Sequence, residues 1–116
     1  MNTLHHIITK VKLGKIDGIE QLDFLTKLCP RMQYLEVECA TDNDLGNIIG
    51  CISMNHVIHI PYLCSLCLCG LPADETMIEK LDNVIYYERV VDKDGNIFGD
   101  YVTQRVQNKI FLDWKL

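Results

Sequence analysis

The sequence predicts an α/β protein in which short parallel strands, each followed by a helix, stack as a solenoid that a C-terminal cap closes. Three segments carry this prediction, because apolar and polar residues alternate in each of them as in a strand with one buried face. Their apolar residues are Val11 and Leu13, Leu35 and Val37, and Leu66 and Leu68. Val11, Leu35 and Leu66 lie 24 and 31 residues apart, which predicts about three repeats in residues 1–90 and a turn with a capping segment in residues 91–116.

The stretch LTKLCPRMQYLEVEC shows how a helix and a strand are joined in one repeat. Leu25 and Leu28 keep helical spacing, whereas Leu35 and Val37 alternate with polar residues. Pro30 ends the helix, because proline has no N–H to donate and disfavours helical geometry in the residue before it. The stretch is therefore predicted to be a helix, a break and a strand.

Each predicted strand is followed by a segment of helical character, GIEQLDFLTKL, DNDLGNIIGCIS and DETMIEKLDNV. Asp74 is placed to cap the third helix, and Asp42 or Asp44 to cap the second. A helix of this length is enough to carry the chain across to the next parallel strand.

The last third of the chain has a weaker pattern. The sequence VVDKDGNIFGDYV carries D-K-D-G, which is typical of a turn between two β-prone stretches. Beyond it, Ile110 and Leu112 alternate around Phe111, which indicates a fourth strand, and Trp114 is expected to cover the end of the stack.

The residues that alternate with the buried ones are expected to form an outward, concave sheet surface. Solenoid proteins bind peptides and partner domains on such surfaces. Lys12, Glu36 and Cys67 should form one row with neighbours about 4.8 Å apart, which Phe111 extends. The predicted partner-binding residues are Lys10, Lys12, Tyr34, Glu36, Glu38, Ser65, Cys67, Cys69 and Phe111. The alternative is that these are ordinary solvated sheet residues.

Composition and charge exclude several classes of function. The chain carries 16 acidic against 11 basic residues and a net charge of −5, with no basic run, so nucleic acid is not expected as a partner. No Gly-rich phosphate loop, G-x-S-x-G or H-E-x-x-H motif is present, so we expect neither an enzyme nor a cofactor.

Six cysteines offer an alternative to the binding surface. We expect them to be reduced and mostly buried as small apolar residues. Cys64, Cys67 and Cys69, with His56 or His59, nevertheless have the residue types of a small zinc or redox site. The sequence DKDGN resembles the start of a calcium loop, but its sixth position is Ile97 where glycine is needed, so a turn is favoured.

Membrane insertion and export are not expected. The apolar stretch from Val57 to Ala73 reaches the lower length limit for a spanning helix, but it contains His59, Pro61 and Pro72 and lacks flanking basic residues. The first residues, MNTLHHIITK, lack the pattern of a signal peptide, so a cytoplasmic location is expected.

The run of Leu25, Leu28, Cys29, Pro30, Met32, Leu35 and Val37 resembles the cysteine-containing leucine-rich repeats of F-box-like proteins. In that family the helix ends on LCP and the strand motif follows. The repeat pattern covers residues 8–83, and the tail resembles the family in appearance only. The sequence departs from the family at the usual Asn or Cys position, which is occupied by Ile16, Ala40 and Leu71.

The resemblance implies a protein–protein interaction module, the substrate-recognition end of an F-box-type ubiquitin-ligase receptor. No F-box is visible before Ile8, so the resemblance implies the recognition end without the adaptor-binding end. The first strand has no visible cap, and an open sheet edge can pair with a second chain, which predicts a possible homo-oligomer through this edge.

Overall fold

The computed structural model describes residues 7–16, 18–91 and 98–115, which contain five strands and three helices. In chain order these are β1 (Lys10–Lys15), α1 (Ile19–Leu28), β2 (Tyr34–Glu38), α2 (Asp42–Asn55), β3 (Ser65–Cys69), α3 (Glu75–Val91), β4 (Val102–Val106) and β5 (Lys109–Asp113).

The strands form one mixed sheet in the order β1-β2-β3-β5-β4. The first three strands are parallel, whereas β5 is antiparallel to β3 and β4 is antiparallel to β5. The sheet is open, with β1 and β4 at its edges. The α/β class and the alternation of parallel strands with helices are confirmed, but the structure is a compact two-layer α/β fold and does not show a solenoid.

The register of the three parallel strands follows the alternation in the sequence. Val11 pairs with Leu35, and Leu35 pairs with Leu66. A slip of one residue would turn every apolar side chain to the opposite face, so the burial of one face specifies this register strongly.

The hydrophobic core lies between one face of the sheet and the helices. Leu35, Val37 and Leu66 are fully buried there and belong to the same cluster as Ile48 and Ile52 of α2. Helix α2 packs between α1 and α3. Burying a side chain of this size stabilises the fold by roughly 2 kcal/mol, and the core therefore holds the helices to one side of the sheet.

Residues at the helix boundaries explain where α1 ends and α3 begins. Helix α1 ends at Leu28, two residues before Pro30, as predicted. The carboxylate of Asp74 accepts a hydrogen bond from the backbone N–H of Met77 at 2.9 Å, which confirms its capping role.

The predicted cap of α2 was wrong. Thr41 is the N-cap residue, and Asp44 lies at the third helical position. From there its carboxylate accepts hydrogen bonds from the backbone N–H groups of Ala40 and Thr41, at 2.7 and 3.1 Å. This reciprocal arrangement is the capping box, in which the acid supports the cap instead of being the cap.

The C-terminal third differs most from the prediction. Helix α3 continues to Val91, through a stretch interpreted as β-prone. The predicted D-K-D-G turn and the calcium-like DKDGN sequence, residues 92–96, lie outside the described residues. The hairpin that the structure contains joins β4 to β5 through Gln107 and Asn108, with φ of 55° at Gln107.

Trp114 follows β5 and packs against Phe98, which precedes β4. Trp114 is buried, and its ring meets Phe98 edge-on with the ring centroids 4.9 Å apart. The strand predicted around Phe111 is confirmed as β5, and it joins β3 directly instead of extending a parallel stack.

Candidate functional site

The sheet has one face in the core and one face away from it. None of the outward residues of the three parallel strands belongs to the hydrophobic core cluster. We call the second surface the open face; it consists of Lys10, Lys12, Tyr34, Glu36, Glu38, Ser65, Cys67, Cys69, Val102, Gln104, Val106, Lys109, Phe111 and Asp113. All of the predicted partner-binding residues lie on it, because alternate residues of a strand share a face.

The central row of the open face has the predicted order. Lys12 pairs with Glu36, Glu36 with Cys67, and Cys67 with Phe111. The row continues to Gln104 of β4, which the sequence pattern did not predict. The row runs across the sheet, with one side chain from each of its five strands.

Glu36 is the centre of a polar cluster on the open face. One of its oxygens, Oε1, accepts hydrogen bonds from the Tyr34 hydroxyl at 3.1 Å and from Nζ of Lys109 at 3.3 Å. Nζ of Lys12 lies 4.0 Å from the other oxygen. The Glu36 side chain is only 13% exposed, so these contacts replace hydrogen bonds to water that the carboxylate loses on burial.

The cluster also determines the charge of its members. Burial raises the pKa of Glu36, but the hydrogen bonds from Tyr34, Lys109 and Cys67 more than offset it, so the net pKa is lowered. The hydrogen bond to Glu36 raises the pKa of Lys109. Burial, followed by hydrogen bonds to Cys67 and Glu36, raises the pKa of the Tyr34 phenol. At neutral pH the cluster therefore contains a carboxylate, an ammonium group and a neutral phenol.

Cys67 is less accessible than its place among the predicted partner-binding residues implies. It points to the open face, yet it is fully buried. Its thiol donates a hydrogen bond to the Glu36 carboxylate, and the Tyr34 hydroxyl is a second hydrogen-bonding neighbour of the sulfur. Burial is the main reason that the pKa of the Cys67 thiol rises to about 11, so the group is a neutral thiol at pH 7. A partner can reach it only by displacing its neighbours.

The remaining open-face residues differ in how far a partner can reach them. Lys10 and Lys12 are exposed, and Glu38, Ser65 and Cys69 are half-buried. The thiol of Cys69 donates to the carbonyl of Val37 at 3.5 Å. The accessible part of the face is thus its rim, with a packed polar centre.

Sequence reasoning missed the contribution of the C-terminal hairpin to this face. Lys109 reaches Glu36 across 73 positions of chain. Val102 and Val106 of β4 add exposed apolar area. The alternation in KIFLD would have placed Lys109 beside Phe111, but nothing local in VTQRV reveals which strand it joins.

The cysteines and histidines of the alternative site do not converge. Within the part of the chain that the structure describes, no group of three or more His, Cys, Asp or Glu side chains is arranged to hold a metal ion. The ring of His56 lies 3.2 Å from the carbonyl of Leu63, and burial lowers its pKa. Cys64 lies just before β3 and Cys69 is its last residue, and both are half-buried.

A groove lies on the opposite side of the molecule, between the helices. Its volume is about 540 Å³, and its lining includes Gly46 and Gly50 of α2 together with Asp23 and Glu88. None of the predicted site residues lies there. Cys51, which also lines it, has a pKa raised to about 11, mainly by burial, so its thiol is neutral at pH 7.

Comparisons with protein-family models, with curated proteins and with solved structures found no significant match to this chain. Among the described residues, none of the helices has the length and apolar content needed to span a membrane. The apolar stretch from Val57 to Ala73 contains β3 instead of a spanning helix.

We expect Glu36→Gln to reduce the free energy of unfolding at pH 7 by about 1–2 kcal/mol, because the carboxylate loses its charge-assisted hydrogen bonds. The folded pKa of Glu36 is below its ordinary value of 4.5. The stabilisation is therefore fully present above pH 4.5 and disappears as the pH falls through the folded pKa. Urea unfolding at pH 7 and at progressively lower pH should show the two proteins converging in acid.

The control is Glu79→Gln, which changes an exposed carboxylate on α3. Its effect should stay within about 0.5 kcal/mol at both ends of the pH range. A difference between the wild type and Glu36→Gln that stays constant with pH would contradict the charge argument.

Proposed function

We propose that this protein is a non-enzymatic protein–protein interaction module that binds its partner on the open face. The observation that carries the proposal is the aligned row from Lys12 through Glu36 and Phe111 to Gln104, on a sheet surface outside the hydrophobic core. A broad, pre-ordered surface of this kind suits a protein partner.

The composition of the open face supports recognition of a protein. Its rim combines exposed apolar side chains, Val102 at 67% and Val106 at 44%, with the exposed cations Lys10 and Lys12. Phe111 and Tyr34 add aromatic area, which is enriched where proteins bind one another. The packed centre around Glu36 holds the strands in one geometry, so little order has to be gained on binding.

We further propose that the parallel part of the fold is a leucine-rich-repeat unit of the cysteine-containing type. The parallel strands, their shared register and the helix after each of them support this interpretation. The hairpin β4–β5 would then act as the C-terminal cap. The absence of an asparagine at Ile16, Ala40 and Leu71 weighs against an asparagine ladder in this unit.

In this proposal the module serves as the substrate-recognition part of an F-box-type ubiquitin-ligase receptor in the cytoplasm. The six free cysteines are in keeping with a reducing compartment. An F-box encoded upstream of Met1 in the same reading frame would support the ligase role directly. A different upstream domain would leave the binding module but contradict the ligase role.

A matched pair of variants tests the binding surface. Gln104→Arg introduces a bulky charge beside Phe111 on the open face, and Asn83→Arg introduces the same group on exposed α3. Proteins captured from cells by the wild type should be lost with Gln104→Arg and retained with Asn83→Arg. Titration calorimetry with the purified partner should then show at least about tenfold weaker binding for Gln104→Arg alone.

Two outcomes would contradict the proposal. A partner that binds all three proteins equally must use another surface. One tightly bound zinc ion per chain in native mass spectrometry would favour the metal-site alternative at Cys64, Cys67 and Cys69.

A further inference from the structure

The edge of the sheet at β1 has hydrogen-bonding groups to offer. Among the described residues, β1 pairs with β2 alone. The carbonyl of Thr9 accepts hydrogen bonds from the N–H groups of Gln33 and Tyr34, so Thr9 faces β2. In a parallel ladder successive residues direct their backbone groups to opposite sides, and the N–H and C=O groups of Lys10 and Lys12 therefore point away from the sheet.

The side chains of this edge carry charge of one sign. Residues 7–16 contain Lys10, Lys12 and Lys15, all exposed, and no acidic residue, although the whole chain has a net charge of −5. Arg31 lies nearby, in a cavity of about 360 Å³ that Thr9 also lines. On the opposite side of the strand, Val11 and Leu13 are half-buried against the core.

A second copy of this chain fits the edge less well than an acidic strand does. A twofold dimer would pair β1 with β1 in antiparallel fashion. In two of the registers Lys12 lies opposite Lys10 or Lys12 of the second copy, and like charges directly opposite each other destabilise a sheet. The register that places Lys12 opposite Gly14 avoids this repulsion but gives the ammonium groups no acidic partner. The other edge, β4, carries Val102, Gln104 and Val106 on the open face, so it offers no carboxylate to these lysines.

We propose that an extended segment of a partner protein, with Asp or Glu at alternate positions, adds to β1 as a sixth strand. Its backbone would bond to the outward groups of Lys10 and Lys12, and its acidic residues would lie beside their ammonium groups. Its apolar residues would cover Val11 and Leu13. The contact between Lys12 and Glu36 shows that a carboxylate on an adjacent strand comes within 4.0 Å of this ammonium group.

This inference rests on the proposed function, because it names the chemistry and the binding mode of the partner. Strand addition obtains affinity from backbone hydrogen bonds and specificity from alternate side chains. Nucleic acid would be attracted to the lysines but would make no use of the backbone edge, so the arrangement favours an acidic strand over a phosphate backbone.

The test uses the full chain and a synthetic peptide of alternating Glu and Val. In the free protein, amide hydrogen exchange by NMR should be fast at Lys10 and Lys12 and slow at Val11 and Leu13. Saturating peptide should slow exchange at both lysines at least about tenfold, because their N–H groups become hydrogen-bonded. Lys10→Glu should weaken peptide binding about fivefold in fluorescence anisotropy, since an attraction becomes a repulsion.

Lys115→Glu is the control for Lys10→Glu, because it makes the same charge change at an exposed site outside the strands. It should leave peptide affinity within twofold of the wild type. A peptide of alternating Lys and Val should not bind the wild type.

Several results would overturn the inference. The first is equal binding of the acidic and basic peptides. The second is no change in amide exchange when the acidic peptide binds. The third is displacement of the peptide by a single-stranded thymidine oligonucleotide at comparable concentration. A dimer in light scattering, with Lys10 and Lys12 amides already protected, would assign the edge to a second copy. The peptide experiment can fail while the Gln104→Arg comparison succeeds, so the inference and the proposed function can be told apart.

Discussion

Replacing Gly70 with alanine should destabilise the protein by about 3 kcal/mol. Gly70 follows β3 with φ of +89°, a conformation that costs an L-residue about 1–2 kcal/mol. An added Cβ would lie 2.4 Å from the carbonyl oxygen of Cys39, in the chain segment just after β2. Since a backbone atom cannot rotate away, the strands would have to move apart, at a further cost of about 1–3 kcal/mol.

Urea unfolding of Gly70→Ala beside Gly46→Ala measures this effect against a matched control. Gly46 lies inside α2, and a Cβ there meets nothing within 4 Å. Alanine at this position should stabilise the protein by about 0.5–1 kcal/mol, because it favours the helix. Equal effects of the two substitutions would show that the close approach at Gly70 does not hold in solution.

Replacing Leu66 with alanine should cost about 3–4 kcal/mol. Leu66 lies on the central strand, pairs with both Leu35 and Leu112 and has no exposed surface. Its truncation removes apolar contacts from the middle of the core and leaves a cavity that the sheet cannot close by a small shift. Thermal or chemical unfolding gives the change in free energy.

Val102→Ala is the companion variant, because it also shortens an aliphatic side chain on a strand. Val102 is 67% exposed on edge strand β4, so its truncation should cost less than about 1 kcal/mol. If Leu66→Ala were as mild as Val102→Ala, the packing of the helices on the sheet would have to differ from this structure.

The three parallel strands and the end of α1 could be predicted from local sequence patterns. Alternation around Val11, Leu35 and Leu66 placed three strands in the correct mutual register, and Pro30 marked the end of α1. These features depend on the preferences of neighbouring residues and on the need to bury one face. Each strand and each helix end depends on residues within a few positions of each other, so a single sequence is enough to predict them.

Local sequence patterns did not predict the hairpin β4–β5 or the polar cluster around Glu36. Gln107 adopts φ of 55° without being one of the residues that mark such turns, and β4 has no clean alternation of apolar residues. The β-prone stretch before Val91 became part of α3, which packs against α2. Here packing against distant elements outweighed local propensity.

The order of residues alone determines three features, because side-chain direction alternates along a strand. These are the strand register, the apolar face of the sheet and the position of the candidate residues on the other face. Which strand borders β3, how Lys109 reaches Glu36 and why Cys67 is buried depend on the folded chain. Those features arise between residues far apart in sequence, and burial and hydrogen bonding exist only after the sheet has brought them together.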